Sequence, residues 1–193
     1  MKKFKLTSEF IVDISGVKLF RIKALIEFGN VKAGDLGGYI EKEENLSHMG
    51  DAWVSDDARI SGNAQVFGNA QVCGDERVFG NAWVSGNARV FGDAQVSGNA
   101  RVSGNARVSG DAQVFGDARV SGDKDYAYAH GFGSCNRTTT FFRLKDGDVG
   151  VRCGCFYGTL AQFRDKVCET HGETKKAQEY LMLADLMEIR FKN

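Results

Sequence analysis

The stretch HGFGSCNRTTT, residues 130–140, concentrates residue types that bind anions. A glycine-containing turn is followed by an arginine and three threonines. Backbone N–H groups, a guanidinium and hydroxyls are the donors that a phosphate or carboxylate needs. We expect residues of the paired strand and of the following helix to complete a site for a small anionic ligand, with an ordinary hairpin rich in β-branched residues as the alternative. The candidate ligand-binding residues are His130, Gly131, Gly133, Ser134, Arg137, Thr138, Thr139, Arg152, Tyr157 and His171.

Two cysteines offer a different chemistry. Cys153 and Cys155 are two positions apart, so a continuous strand would place both thiols on one face, where they could ligate zinc with His171 or Cys168. A single CxC pair is weak evidence, and packed free thiols are the alternative. A Cys155–His171 nucleophile would lack a third, orienting group. We therefore predict no catalytic residue, no metal site and no cofactor.

The elements that must position these residues adjoin a strict repeat. From Asp51 to Gly122 the phrase Gly-Asn/Asp-Ala-x-Val-Ser/Phe occurs twelve times without insertion or deletion. Strand alternation places Ala and Val inward and the x and Ser/Phe residues outward, with Gly and Asn/Asp at the corners. Three such sides make one triangular coil, so the repeat predicts a solenoid of about four coils.

Residues three hexads apart stack in columns. The column Asp57, Asp75, Asp93 and Asp111 could bind a cation or consist of solvated corner aspartates. Three stacked arginine pairs could each clamp a phosphate or carboxylate, or remain solvated or paired with aspartates. They are Arg59 with Arg77, Arg89 with Arg107 and Arg101 with Arg119. Glu76 replaces an inward alanine, and we expect a local distortion that lets its carboxylate reach water.

Outward aromatic residues indicate a partner surface, because an isolated solenoid would expose them to solvent. We expect self-association into a homotrimer through this set. The candidate interface residues are Trp53, Phe67, Phe79, Trp83, Phe91 and Phe115.

The flanks of the repeat have other patterns. Residues 1–50 predict an N-terminal β cap, with two strands around a Ser15-Gly16 turn and then a loop with a Gly37-Gly38 turn. Residues 123–193 predict a small α+β (ββαα) domain. Its hairpin is RTTTFFRL paired with VGVRCGCF, and its helices run from Thr159 to about Glu169 and from about Thr174 to Ile189. The predicted domains are thus 1–50, 51–122 and 123–193.

Three segments together resemble a known family: GDLGGYIEKEENLSHMGDAWV, the GNAxV hexads, and RTTTFF followed by VRCGCFYGTLAQFRDKVCETHG. They are similar to hexapeptide-repeat proteins of bacteriophages and prophages, often labelled transferases or polymer-forming proteins by fold alone. The resemblance covers nearly the whole chain. It implies a left-handed parallel β-helix, commonly a trimer, and it implies no proven reaction. The left hand comes from the resemblance, because the general crossover rule predicts the opposite.

Composition and charge narrow the function. The formal net charge is zero, which argues against a nucleic-acid binder. Five cysteines, an odd number, favour reduced thiols in the cytoplasm, that of the host cell for a phage protein. Glu9 and Asp13 interrupt the apolar N-terminal residues, so we expect neither a signal peptide nor a membrane anchor.

We expect a non-enzymatic binding protein that sequesters a nucleotide-like anion or a host protein, for example to counter host defence. One alternative is a hexapeptide-repeat acyltransferase, although no histidine lies between residues 51 and 122 and no loop breaks the repeat. His48 or His130 would then be the base. The other alternative is a structural or assembly protein.

Overall fold

The computed structural model describes residues 1–133 and 137–192, and its centre is a solenoid of three parallel β-sheets. The first sheet contains β3 (Leu36–Ile40), β5 (Arg59–Ile60), β8 (Arg77–Val78), β11 (Gln95–Val96) and β14 (Gln113–Val114). The second contains β4 (Trp53–Asp56), β7 (Gln71–Gly74), β10 (Arg89–Gly92) and β13 (Arg107–Val108). The third contains β6 (Gln65–Val66), β9 (Trp83–Val84), β12 (Arg101–Val102) and β15 (Arg119–Val120).

The interior of the solenoid consists of alanine and valine columns. Val72, Val90 and Val108 stack in register on neighbouring coils, and each is 0% exposed. The inward position two residues earlier is likewise filled by buried alanines such as Ala88. Because each coil buries its apolar side chains only against its neighbours, the stack as a whole supplies the core.

The solenoid has about five coils, one more than the hexads alone predict. The additional coil comes from residues before the repeat, because β3 pairs in parallel with β5 and Leu46 pairs with Val66. A short 3-10 helix, Glu43–Asn45, links these two segments. The predicted Gly37-Gly38 turn is therefore wrong. Both glycines lie within β3, where a Cβ on Gly37 would come within 2.5 Å of the carbonyl oxygen of Val54.

An antiparallel hairpin lies at the N-terminal end of the solenoid. Its strands β1 (Phe4–Val12) and β2 (Lys18–Ala24) extend the first sheet beyond β3. Lys3 is buried beneath the first coil, where its Nζ donates a hydrogen bond to the carbonyl oxygen of Ala52 at 2.8 Å. Burial lowers the pKa of Lys3 to about 8.

Asparagine ladders run along two corners of the solenoid. In one ladder, each Nδ2 donates to the Oδ1 of the residue one coil further on, through Asn63, Asn81, Asn99 and Asp117. Lys42 donates to the first member at 3.3 Å, and Lys145 forms an ion pair with the last at 3.1 Å. The second ladder contains Asn69, Asn87 and Asn105. These bonds connect the coils at their corners, in addition to the strand pairing and the apolar columns.

The C-terminal unit is a four-stranded antiparallel sheet with two helices. After a 3-10 turn, Asp123–Asp125, the strands are β16 (Tyr126–Phe132), β17 (Arg137–Arg143), β18 (Val149–Cys153) and β19 (Phe156–Thr159). The helices are α1 (Leu160–His171) and α2 (Lys175–Phe191). Thr159 and Thr174 cap the helices through their side chains, which confirms the predicted starts. The strands β16 and β19 were not predicted.

This sheet separates two cores. On β17, Phe142 packs into the solenoid core, whereas its neighbour Phe141 packs edge-on against Phe163 of α1. The Oγ1 of Thr140 accepts a hydrogen bond from the backbone N–H of Gln113 at 2.9 Å, so the solenoid-facing side lies directly on the last coil. Since side chains alternate along a strand, neighbouring residues of this sheet face opposite sides, one towards the solenoid and one towards the helices.

Candidate functional site

A cavity of about 270 Å³ lies between the helix-facing side of the C-terminal sheet and the two helices. Three residues with basic side chains line it: Arg137, Lys166 and His171. Three aromatic rings form much of the remaining wall: Phe156, Phe163 and Tyr180. Two fixed cations and a histidine beside aromatic rings can hold an anionic group and stack on a planar one.

Local structure places two of the three basic residues at the ends of elements. Arg137 is the first residue of β17, and it lies against the turn at Gly154, where an added Cβ would contact its Nη1. His171 is the last residue of α1, which ends because Gly172 adopts a φ of 56°. The imidazole of His171 stacks on Tyr180 of α2, with 5.8 Å between ring centroids.

Polar contacts order the deeper part of the cavity. The Oγ1 of Thr139 donates to the Sγ of Cys153 at 3.2 Å, and that thiol donates to the hydroxyl oxygen of Tyr180 at 3.9 Å. At the rim, Lys166 pairs with Glu169 at 2.8 Å, which neutralises part of its charge. The aromatic rings pack on one another, with Phe163 5.5 Å from Phe156 and 5.7 Å from Tyr180.

The structure brings together only part of the predicted ligand site. Arg137 and His171 line the cavity, and Thr139 contacts Cys153 in its wall. Gly133 lies close to Tyr180, and its backbone N–H donates to Glu179 at 2.8 Å. Gly131 has a positive φ and open space around its Cβ position. Ser134 lies outside the described residues.

The remaining predicted site residues face the solenoid. Arg152 lies over Phe115 at 5.1 Å and donates from Nε to Gln113 at 3.3 Å. Tyr157 packs edge-on against the same phenylalanine at 5.1 Å. His130 contacts Thr138 through Nδ1 at 2.9 Å on this side. The expectation that these residues cluster around one ligand is wrong, because strand alternation divides them between the two sides of the sheet.

The cysteine pair also differs from the prediction. Gly154, with a φ of 58°, ends β18, so Cys153 is a strand residue and Cys155 belongs to the following turn. The two thiols therefore do not share one strand face. Across residues 1–133 and 137–192, no group of three or more His, Cys, Asp or Glu side chains is placed to hold a metal ion. This includes the column Asp57, Asp75, Asp93 and Asp111.

The predicted interface aromatics occupy all three sides of the solenoid. Phe79, Trp83 and Phe91 are each more than a third exposed and lie on the first, third and second sheets respectively. Two others do not face solvent as expected. Trp53 is only 7% exposed because Phe28 packs against it, and Phe115 is partly covered by Tyr157. Phe67 is half-buried, edge-on to Trp83 at 5.9 Å.

His48 has a structural environment. Its ring stacks on Phe4 at 4.3 Å, and its Nδ1 accepts a hydrogen bond from the backbone N–H of Lys3 at 3.2 Å. Burial lowers the pKa of His48. Because Nδ1 accepts this hydrogen bond, the neutral ring carries its proton on Nε2. Nε2 is therefore a hydrogen-bond donor and not a base.

Six cavity residues were missed by the sequence reasoning: Phe156, Phe163, Lys166, Val167, Thr170 and Tyr180. Four of them carry a readable signal, because they precede His171 on one face of the correctly predicted α1 at spacings of three and four residues: Phe163, Lys166, Val167 and Thr170. Neither Phe156 nor Tyr180 could be assigned without the unpredicted strand β19 and the packing of the helices.

Comparison with known proteins concerns the solenoid. The repeat matches the family described as YdcK Beta solenoid repeat at residues 58–74, 82–98 and 94–110. These segments cover less than half of the chain, so the similarity concerns the repeat alone. No match was found among curated proteins. Within the described residues, no helix is both long and apolar enough to span a membrane.

Proposed function

We propose that this protein binds a small anionic ligand with a planar aromatic part, such as a mononucleotide, in the cavity of its C-terminal unit. The observation that carries the proposal is the lining of that cavity, in which Arg137, Lys166 and His171 lie beside Phe156, Phe163 and Tyr180. The basic groups match a phosphate and the rings match a base. The protein acts by holding this ligand, and the solenoid serves as its scaffold.

The size of the cavity limits which ligands can fit. A volume of about 270 Å³ lies near the lower end of the range for small-molecule sites. A mononucleotide or cyclic mononucleotide therefore fits better than a dinucleotide. The proposed trimer would carry three such sites, one in each C-terminal unit.

Isothermal titration with AMP, cyclic AMP and ADP-ribose tests the proposal. We expect the mononucleotides to bind and Arg137→Ala to weaken binding at least tenfold, because a charged hydrogen bond is lost. The matched control is Lys175→Ala, an exposed cation at the start of α2 outside the cavity. Equal weakening by both variants, or no heat with any of these nucleotides, would refute the proposal.

Native mass spectrometry of gently purified protein is the complementary measurement. A trimer carrying an added mass of a nucleotide would support both the ligand proposal and the expected self-association. A clean trimer would direct attention to a protein partner, and titration against AMP would then decide the ligand question alone.

A further inference from the structure

The three stacked arginine pairs of the solenoid differ in their surroundings. On the third sheet, Arg101 lies over the ring of Trp83, with 4.5 Å from Cζ to the centroid, and Arg119 donates to the carbonyl oxygen of Ala118 at 2.8 Å. On the second sheet, Arg89 and Arg107 are exposed. The alternative of solvated arginines therefore describes the pair on the second sheet, whereas the pair on the third sheet contacts an aromatic ring and a backbone carbonyl rather than aspartates.

The remaining pair, Arg59 with Arg77, lines a cavity of about 300 Å³ on the first sheet. Arg59 and Arg77 stack on neighbouring strands β5 and β8, about 4.8 Å apart by strand spacing. The tip of the β1–β2 hairpin covers one side of this cavity, and its apolar walls are Ile14, Leu19 and Phe79. Ser15 and Ser61 add hydroxyls to the lining.

One of the two guanidiniums at this cavity has an unused donor. The Nε of Arg59 is buried and has no hydrogen-bond partner among the described residues. A buried donor without a partner is unfavourable, and an acceptor in the cavity would offset that cost. The Nε of Arg21, two strands away in the same sheet, is likewise buried without a partner among the described residues, although its Nη1 donates to both Glu9 and Tyr39.

The charged side chains that line the cavity favour a ligand with a single negative charge. Arg59 and Arg77 contribute two positive charges, and Asp13 contributes one negative charge. The hydroxyl of Ser15 and the backbone N–H of Val17 donate hydrogen bonds to the carboxylate of Asp13. These bonds, of which that from Ser15 has the larger effect, lower the pKa of Asp13 and keep it ionised. The sum is one positive charge, which balances a monoanion and leaves a dianion uncompensated.

We propose that the cavity between the N-terminal hairpin and the first sheet binds a carboxylate that carries a short apolar tail. The carboxylate lies between the guanidiniums of Arg59 and Arg77, and the tail packs against Leu19 and Phe79. Ile14 is 93% exposed at the hairpin tip and would be covered by the tail. A free carboxylic acid and the C-terminal residue of a peptide share this chemistry. The site is separate from the cavity of the C-terminal unit.

Titration calorimetry with the whole protein tests the proposal and separates the two sources. The probes are hexanoate and the peptide acetyl-Ala-Ala-Leu with a free carboxylate, and the neutral comparisons are hexanamide and the peptide amide. We expect at least one carboxylate probe to bind at least tenfold more tightly than its amide. Hexanoate alone indicates a free acid, and the peptide alone indicates a chain terminus.

Matched variants locate the site. Arg77→Ala should weaken the binding of that carboxylate at least tenfold, whereas Arg107→Ala, the same hexad position on an exposed pair, should leave it unchanged. Arg137→Ala should also leave it unchanged, which keeps the test independent of the nucleotide proposal. Thermal unfolding of each variant checks that it is folded. Equal affinity for acid and amide, tighter binding of inorganic phosphate, or no heat with either carboxylate at millimolar concentration would overturn the proposal.

Discussion

Gly74 leaves the space that the carboxylate of Glu76 occupies, since a Cβ on Gly74 would lie 2.9 Å from Oε1 of Glu76. Glu76 replaces the inward alanine of the adjacent coils, Ala58 and Ala94, and is 0% exposed. Both of its carboxylate oxygens are buried without a hydrogen-bond partner among the described residues. The expectation that a local distortion lets this carboxylate reach water is therefore wrong.

Glu76 should make the stability of the protein depend on pH. Burial, with the negative charges of Asp75, Asp56 and Asp93, raises the pKa of Glu76 from 4.5 to about 7. The folded state thus favours the protonated form. The contribution of protonated Glu76 to the free energy of unfolding is complete below about pH 4.5 and is lost as the pH rises through about 7.

Glu76→Ala should remove this dependence and raise the free energy of unfolding at pH 8 by up to about 3 kcal/mol. Urea denaturation at pH 5 and pH 8 measures both effects. Glu173→Ala, an exposed residue between the helices, is the control and should change neither value. The same pH dependence in the wild type and in Glu76→Ala would contradict the prediction.

Gly37→Ala should destabilise the junction between the N-terminal hairpin and the first coil. A Cβ there would lie 2.5 Å from Cγ1 of Ile22 and from the carbonyl oxygen of Val54, so the cost is steric. We expect at least about 1–3 kcal/mol, measured by chemical denaturation. Gly122→Ala is the matched control, because its Cβ position is open and its φ of −158° suits any residue. Similar stability of the two variants would argue against this packing.

The asparagine ladder should contribute measurably to stability. Asn81 accepts from Asn63 and donates to Asn99, both at 3.2 Å. Asn81→Ala removes two hydrogen bonds and should lower the free energy of unfolding by about 1–2 kcal/mol. The control Asn30→Ala changes an exposed turn residue outside the ladder and should fall within about 0.5 kcal/mol of wild type. Equal effects would show that the ladder carries no net stabilisation.

Trimer formation should depend on the exposed aromatics of the solenoid. Trp83→Ser removes a ring that is 38% exposed on the third sheet, and we expect it to shift the mass from trimer towards monomer. Light scattering coupled to size exclusion measures this mass. Phe132→Ser, on a ring that is 44% exposed in the C-terminal sheet, should leave the trimer intact. A wild-type protein that stays monomeric at every concentration would rule out the trimer.

The parallel solenoid could be predicted from the sequence because the repeat is long and uninterrupted. Every hexad has the same inward and outward positions. Once these positions are assigned in one hexad, the residues of every column along the solenoid are known. The added coil was missed because β3 and Leu46 do not carry the hexad, although Ile40 and Leu46 are buried at equivalent levels. Pairing with the next coil, rather than local pattern, makes these residues part of the solenoid.

The candidate site was only half predictable for a related reason. Arg137 and Arg152 were assigned to one cluster by the pairing of their strands, but they stand at positions of opposite parity. The register pairs Arg152 with Thr140, three residues from Arg137, so the two arginines face different cores. The turn at Gly154 then separates Cys153 from Cys155. Sequence spacing shows neighbours on a strand, whereas the side of the sheet depends on register and on where each strand ends.

The ladder that begins at Lys42 has a direction. The ammonium group of Lys42 can only donate, and the carboxylate of Asp117 can only accept. Each asparagine between them accepts one hydrogen bond and donates one. A carboxylate at the last rung offers no proton to a further coil, and Lys145 from the C-terminal unit occupies it instead. Asp117 thus ends this ladder at the last coil and joins it to the C-terminal unit.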